Sequence, residues 1–223
     1  MGIGFLWLLD AGLGADLRAR LERDPLPPLL EFFYDYGSPY SYIADSQLAG
    51  LRERTGCSIE YCPMLLGGVF KATGNRSPAE EPVAAKRQYG GQEMQRWVRH
   101  YGLEFRSNPH FPINTLSIMR HAHAARRLGV FETFHRAIFR AFWEQEKNLG
   151  DSGILASELA AAGLDPAELA QVSVDADIKA ALRETTEEAV GRGVFGAPSF
   201  FVQGELFFGN DRLAFVERAL GAA

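Results

Sequence analysis

The residues best suited to chemistry form the quartet Ser38-Pro39-Tyr40-Ser41, which directly follows an apolar, aromatic segment. Serine followed by proline is a common helix beginning, because the serine side chain caps the first amides and proline fits the first helical position. The same helix end carries unpaired N–H groups and partial positive charge, which favour an anion such as a thiolate. Ser38 therefore suits two roles, a helix cap and a contact to an anionic ligand.

Ser38 has no evident partners that would make it a nucleophile. No His and Asp pair stands near it in a recognisable motif, and the five histidines follow no local pattern. His121 and His123 fall on different faces of a helix and His135 belongs to the next helix, so zinc is not expected. We also find no glycine-rich phosphate loop or nucleotide fingerprint.

Composition narrows the class of protein. The chain has 223 residues, of which 47% are hydrophobic, and a formal net charge of −5, which disfavours nucleic acid as a partner. No stretch reaches the roughly 18 to 20 apolar residues that span a bilayer, so no membrane partner is expected. Cys57 and Cys62 form neither a CxxC pair nor a disulfide framework, which favours the reducing cytoplasm.

The first part of the chain predicts a strand, a helix and a second strand. Residues 13–23 read as a short amphipathic helix that a proline-rich stretch ends, so we predict that residues 1–28 form a helical N-terminal extension. The segment 29–35 predicts a buried strand, and 58–63 predicts another. The helix between them has one apolar face, formed by Tyr40, Ile43, Ala44, Leu48 and Leu51.

The rest of the chain predicts helices and then a hairpin. Signals from Leu66 to about Gly193 are helical, whereas 198–203 and 205–208 predict two short strands before a final helix. This order predicts an α/β protein with a thioredoxin-like fold interrupted by a large all-helical insertion. The predicted domains are a thioredoxin-like domain over 29–68 and 194–223, and a helical insertion domain over 69–193.

The segment from Tyr34 to Tyr42 (YDYGSPYSY) is similar to the FDFxSPYxY signature of 2-hydroxychromene-2-carboxylate isomerases and kappa-class glutathione transferases. Related disulfide oxidoreductases carry CPxC there, so this chain lacks both redox sulfurs and cannot exchange disulfides through its own thiols. Further matches follow in family order at residues 63–71, 73–78, 86–97, 111–120, 193–200 and 208–212. The N-terminal extension and the sequence of residues 89–93 depart from the family pattern.

This resemblance implies glutathione as cofactor, with Ser38 as the catalytic residue that positions its thiol. The implied cofactor-binding residues are Ser38, Pro39, Tyr40, Asn75, Ala197, Pro198, Asn210 and Asp211. Lys71 and Arg76 could hold the carboxylate of a small aromatic substrate. Simpler roles stay open: Asn75 in a turn, Pro198 as a trans residue beginning an edge strand, Asp211 as a helix cap, and both cations as solvated surface charges.

The resemblance also implies the reaction, the glutathione-dependent interconversion of 2-hydroxychromene-2-carboxylate and trans-o-hydroxybenzylidenepyruvate in aromatic catabolism. Two alternatives are a kappa-type transferase that conjugates glutathione to electrophiles and a non-catalytic thioredoxin-like binding protein. Family members are often dimers, so a homodimer is a further expectation from the resemblance. The enzymatic interpretation requires an accessible Ser38 hydroxyl and a cleft between Ser38 and the Pro198 turn.

Overall fold

The structure, a computed structural model, describes residues 27–221. The helix predicted over 13–23, and nearly all of the predicted 1–28 extension, lie outside the described residues. The predicted order of elements after residue 28 is confirmed.

One mixed sheet of four strands organises the described chain. Strands β1 (Leu29–Tyr34) and β2 (Ser58–Pro63) are parallel, as expected when a helix connects them. Strand β3 (Ser199–Val202) runs antiparallel to β1 on its other side and continues into β4 (Glu205–Phe208), which gives the order β2-β1-β3-β4. The C-terminal hairpin therefore pairs with the first strand of the chain.

Nine α-helices lie within residues 27–221, and seven of them fall between the second and third strands. They are α1 (Pro39–Thr55), α2 (Leu66–Thr73), α3 (Ala84–Tyr101), α4 (Leu116–Arg127), α5 (Phe131–Trp143), α6 (Ser152–Ala161), α7 (Pro166–Ser173), α8 (Ala176–Gly191) and α9 (Leu213–Ala219). Residues 66–198 contain no strand, as the helical composition of that segment predicts.

The sheet is covered on both faces. On one face Phe32 and Phe200 stack with centroids 5.3 Å apart and join a core shared with α1, α4 and α5. On the other face Phe33 and Phe201 pack with Val69 of α2 and Ala189 of α8. Helices of the segment 69–193 thus contribute to both cores, and the division into two domains stays a prediction.

Helix α1 is formed as its sequence pattern predicts. Ile43, Ala44, Leu48 and Leu51 are buried at 1% exposure or less, whereas Tyr40 at the exposed beginning of the stripe is half-buried. Gly56 ends the helix in a left-handed conformation (φ 68°), which a residue without Cβ adopts at little cost. The apolar stripe fixes the direction of the helix, and with it the position of Ser38.

Both cysteines lie in the packed interior. Cys57 and Cys62 are free and buried, and burial raises the pKa of the Cys62 thiol well above its usual range. Neither thiol lies in the Ser38 quartet. None of the helices within residues 27–221 is long and apolar enough to cross a membrane.

Two buried histidines on α4 make stability depend on pH. His121 donates to the Ser117 carbonyl at 2.8 Å and His123 to the Pro63 carbonyl at 2.9 Å. Burial nevertheless lowers the pKa of both rings below 6.5. At and below pH ~6.5 the unfolded chain therefore binds more protons than the folded chain does. The neutral rings contribute to stability above pH ~6.5, and this contribution is lost as the pH falls below that value.

We predict that His123→Gln flattens the fall in unfolding free energy between pH 7 and pH 5, measured by urea denaturation. Glutamine keeps a donor for the Pro63 carbonyl but takes up no proton. The exposed His100 supplies the control, since His100→Gln makes the same substitution at the surface and leaves the contact of His123 to the Pro63 carbonyl intact. Equal slopes for His123→Gln and the unmodified protein would contradict the prediction.

Candidate active site

Ser38 begins α1 and caps it. Its Oγ accepts the Ser41 N–H at 3.1 Å, and Pro39 is the first helical residue, so the capping role predicted from the sequence is present. The Ser38 N–H donates to the Asp35 carbonyl at 3.0 Å, which holds the turn between β1 and α1. Ser41, on the next turn of the helix, is fully buried, and its Oγ has no partner among the described residues.

The Ser38 hydroxyl faces the Pro198 turn, as the sequence interpretation requires. The Ala197–Pro198 peptide is cis, and the trans alternative is wrong. The hydroxyl donates to the Ala197 carbonyl at 3.1 Å, which joins residues 159 positions apart. Ser38 is only 4% exposed, so the accessible hydroxyl that we expected is not found: its proton is already bonded to the opposite wall of the site.

A buried carboxylate lies beneath Ser38. Asp35 is 1% exposed, and it accepts the Gly37 N–H at 2.8 Å, the Leu66 N–H at 2.9 Å and the Thr115 hydroxyl at 2.9 Å. Burial raises the pKa of Asp35, and these hydrogen bonds oppose that rise in part. A Cβ at Gly37 would approach the Thr115 methyl group to 2.9 Å, so a larger residue here would displace the side chain that donates to Asp35.

Sequence reasoning missed this role of Asp35. The only available signal was a carboxylate at the end of an aromatic strand, where a charged group needs partners once it is buried. Its partners lie at the beginnings of α2 and α4, so they could not be identified from local pattern. The carboxylate thereby fixes three segments around the turn that carries Ser38.

A second set of hydrogen bonds holds Tyr36, in the turn before Ser38. The Tyr36 hydroxyl bonds to Nδ1 of His135 at 2.8 Å, and Nε2 of that ring bonds to Asp45 at 2.9 Å. Trp143 donates its indole N–H to the Tyr36 carbonyl at 2.9 Å. Burial raises the pKa of Tyr36 well above its usual value, so this hydroxyl stays protonated. The sequence placed His135 on a helix but gave no sign of this role.

Asn210 and Asp211 lie beside the Pro198 turn, since the adjoining Gly209 N–H donates to the Pro198 carbonyl at 3.0 Å. Asn210 is 4% exposed, and its side-chain Nδ2 has no partner within residues 27–221. Asp211 is exposed, and no side-chain cap bond is present at α9 or at the short turn before it, so the capping alternative for Asp211 is wrong.

Tyr40 lies close to the carboxylate of Asp211. Burial, then the charges of Glu93 and Asp211, raise the pKa of Tyr40. Its hydroxyl is 3.4 Å from the Gly90 carbonyl of α3, which continues unbroken through the unusual 89–93 sequence. Trp97 and Tyr101 are half-buried on α3, with ring centroids 5.5 Å apart, and pack against the main core.

Asn75 is tied to the segment that leads into the Pro198 turn. Its Nδ2 donates to the Phe195 carbonyl at 2.8 Å, and its Oδ1 accepts the Arg76 N–H at 2.8 Å. Lys71 and Arg76 are exposed near this loop, and neither forms an ion pair with a described carboxylate. The structure therefore brings Ser38, Ala197 and Pro198 together directly and Asn75 and Asn210 beside them, whereas no contact links the two cations to Ser38.

Comparison with known proteins agrees with this geometry. The family model described as a DSBA-like thioredoxin domain matches residues 29–221. A 2-hydroxychromene-2-carboxylate isomerase of Sphingobium xenophagum is 31% identical over 191 residues, which cover 86% of this chain and 97% of the relative. Glutathione S-transferase kappa 1 of Rattus norvegicus is 29% identical over 213 residues, 88% of this chain and 92% of the relative.

A solved structure gives the same result. The structure of a selenomethionine 2-hydroxychromene-2-carboxylate isomerase superposes with a TM-score of 0.76 at 26% identity. The superposition covers 86% of this chain and 94% of that chain. The family-model match over residues 29–221 spans the sheet, the Ser38 turn and the Pro198 turn.

We predict that Asp35→Asn lowers the free energy of unfolding by about 1 to 3 kcal/mol, because an amide NH2 group would oppose at least one of the buried N–H donors. Urea denaturation measures the loss. Asp151→Asn is the matched control: Asp151 is the exposed N-cap of α6, a position that asparagine fills equally well. Equal stability of the two variants would contradict the proposed role of the buried carboxylate.

Proposed function

The chain belongs to the DSBA-like thioredoxin domain family, within the group of 2-hydroxychromene-2-carboxylate isomerases and kappa-class glutathione transferases, and we propose that it is a glutathione-dependent isomerase. The proposed reaction interconverts 2-hydroxychromene-2-carboxylate and trans-o-hydroxybenzylidenepyruvate. The observation that carries the proposal is the Ser38 hydroxyl at the beginning of α1, which bonds to the Ala197 carbonyl beside cis-Pro198, so a ligand thiol would have to displace this bond. Serine occupies both positions that hold cysteine in the CPxC motif, so the thiol for the proposed reaction would come from a ligand.

The side chains around Ser38 fit a γ-glutamyl peptide. Nδ2 of Asn210, which has no partner among the described residues, would donate to the γ-glutamyl carboxylate, and Asp211 would accept from the ammonium group. Asn75 would contact the peptide from the other side of the Pro198 turn, beside Phe195. Pro39 and Tyr40 would line the helix end, while Lys71 or Arg76 would bind the carboxylate of the aromatic substrate.

Bound glutathione would supply a thiolate that adds reversibly to the conjugated substrate and so permits rotation about a carbon–carbon bond. The protein's part is to stabilise that thiolate. Lowering a thiol pKa from ~8.5 to ~6.5 requires about 2.7 kcal/mol. A hydrogen bond from Ser38 to a charged sulfur supplies roughly 1.5 to 3 kcal/mol, and the N-terminus of α1 adds ~0.3 to 1 kcal/mol. These two groups therefore suffice.

Activation of the thiol accounts for only part of catalysis. Nucleophilicity falls with pKa at a slope of ~0.4 to 0.5, so most of the gain in thiolate is offset by weaker attack. Holding the sulfur against the electrophilic carbon contributes more, because effective molarities of oriented reactants can be very large. The hydrogen bonds that Asp35 and His135 form with the turn before Ser38 support this positioning role.

The second candidate is a kappa-type transferase, favoured by the 29% identity to a kappa-class transferase over nearly the same length of chain. The same Ser38 contact serves both reactions, which differ in whether glutathione leaves the product. We further propose a cytoplasmic location, in keeping with the two free cysteines, and assembly as a homodimer.

We predict that the purified protein converts 2-hydroxychromene-2-carboxylate to a product of unchanged mass only when glutathione is present. Ser38→Ala should slow this conversion on the order of tenfold or more, since one hydrogen bond to a charged sulfur is lost. Mass spectrometry and initial rates measure the two effects. Ser46→Ala, an exposed serine on α1 that bonds only its own helix and a neighbouring side chain, is the matched control.

Three results would decide against the proposal in different ways. A stable product that has gained the mass of glutathione would favour the transferase. Conversion at the same rate without glutathione would exclude the cofactor. An equal rate for Ser38→Ala and Ser46→Ala would show that Ser38 does not act on the thiol.

A further inference from the structure

A chain of hydrogen bonds runs from β1 to α1 through the ring of His135 on α5. The hydroxyls of Tyr34 and Tyr36 are 3.2 Å apart, and the Tyr36 hydroxyl is 2.8 Å from Nδ1 of His135. Nε2 of the same ring is 2.9 Å from a carboxylate oxygen of Asp45. Both tyrosines are at most 1% exposed, whereas the Asp45 side chain is 21% exposed. The chain therefore leads from the buried strand to a partly exposed carboxylate.

The partners of the ring determine where each proton lies. An ionised carboxylate only accepts hydrogen bonds, so the neutral ring carries its proton on Nε2, facing Asp45. Nδ1 is then an acceptor, and the Tyr36 hydroxyl donates to it. Burial raises the pKa of Tyr34 and of Tyr36 well above their usual values, so both hydroxyls keep their protons. The Tyr34 hydroxyl donates to that of Tyr36, and every bond in the chain has one direction.

The other tautomer of the ring does not fit these partners. A proton on Nδ1 would point at the Tyr36 oxygen and leave Nε2 as an acceptor that faces a carboxylate. Tyr36 would then have to donate to Tyr34, whose own hydroxyl has no second partner among the described residues. Aromatic rings occupy the surroundings of the imidazole, with centroids 4.8 to 5.4 Å from its own, and they belong to Tyr34, Tyr36, Tyr61, Phe131 and Phe139.

We propose that His135 is a positioning residue that acts as the tautomer with its proton on Nε2, and that Asp45 selects this tautomer, an inference that rests on the proposed function. Tyr36 lies two residues before Ser38, and His135 holds its hydroxyl while Trp143 donates to its carbonyl. Asp45 lies about two turns along α1 from Ser38. The ring therefore ties the turn that leads into Ser38 to the helix that begins there.

The consequence is an effect on turnover more than on binding. Without the Tyr36 contact the turn loses one of its restraints, so Ser38 holds the ligand sulfur less accurately against the electrophilic carbon. Small errors in position slow an oriented reaction strongly. Asn75 and Asn210, which are proposed to hold the rest of the peptide, lie on other segments of the chain, so the affinity for glutathione changes little.

Two substitutions separate the two nitrogens of the ring. His135→Gln places an amide near the position of Nε2 and keeps a donor for Asp45, whereas His135→Asn places an amide oxygen near the position of Nδ1 and keeps an acceptor for Tyr36. We expect His135→Gln to lower kcat of the glutathione-dependent isomerisation on the order of tenfold, with KM for glutathione nearly unchanged, and His135→Asn to lower kcat less. His100→Gln, at an exposed position of α3, should change neither constant.

Two further variants test the chain without altering His135 itself. Tyr36→Phe keeps the buried aromatic ring, and its loss of kcat should not add to that of His135→Gln in the double variant, because both substitutions remove the same contact. Asp45→Asn introduces an amide that can donate to Nε2. Nitrogen NMR of the histidine rings should then show the His135 proton on Nδ1, and kcat should fall with this change.

The same NMR measurement on the unmodified protein should show the His135 proton on Nε2. A proton on Nδ1 in the unmodified protein, or equal kcat values for His135→Gln, Tyr36→Phe and His100→Gln, would overturn the positioning role and leave the glutathione reaction intact. A lack of glutathione-dependent conversion by the unmodified protein would instead overturn the proposed function, and the positioning role with it.

Discussion

The buried carboxylate of Asp35 joins the segments that form the candidate active site. A charged group at 1% exposure is unfavourable without partners, and this one is stabilised by two backbone amides and a hydroxyl. These donors belong to the turn before Ser38 and to the beginnings of α2 and α4. Because all three must be present to satisfy one carboxylate, the position of Ser38 depends on the packing of helices that lie far from it in sequence.

The candidate site is formed by two segments that face each other. One wall is the end of α1, where Ser38 offers a hydroxyl in a region of partial positive charge. The other is the 195–198 segment, whose carbonyl groups are saturated by Asn75, Ser199, Gly209 and Ser38. The Ser38 hydroxyl is the donor that comes from the end of α1, so this one hydrogen bond joins the two segments of the candidate site.

Local sequence patterns predict much of this architecture. The strands, the apolar face of α1 and the Ser-Pro helix beginning depend on neighbouring residues, so alternation, periodicity and capping preferences identify them. The family signature adds the pairing of Ser38 with the Pro198 turn. The hairpin was predicted within about one residue of its observed bounds.

The remaining features depend on contacts between distant residues. Asp35 meets Thr115 across 80 positions, Tyr36 meets His135 across 99, and Ser38 meets Ala197 across 159. No local pattern identifies such partners. The closed hydroxyl was missed for this reason: the family resemblance implies that Ser38 and Ala197 face each other, but not that the Ala197 carbonyl already accepts a hydrogen bond from the Ser38 hydroxyl.

The proposed role of Ser38 is to stabilise a thiolate supplied by glutathione. The most direct measurement is a pH titration of the thiolate absorbance of bound glutathione, in the unmodified protein and in Ser38→Ala. Stabilisation by the Ser38 hydroxyl predicts an apparent thiol pKa of ~6.5 in the unmodified protein and a return toward ~8.5 in the variant. The same pKa in both proteins would contradict it.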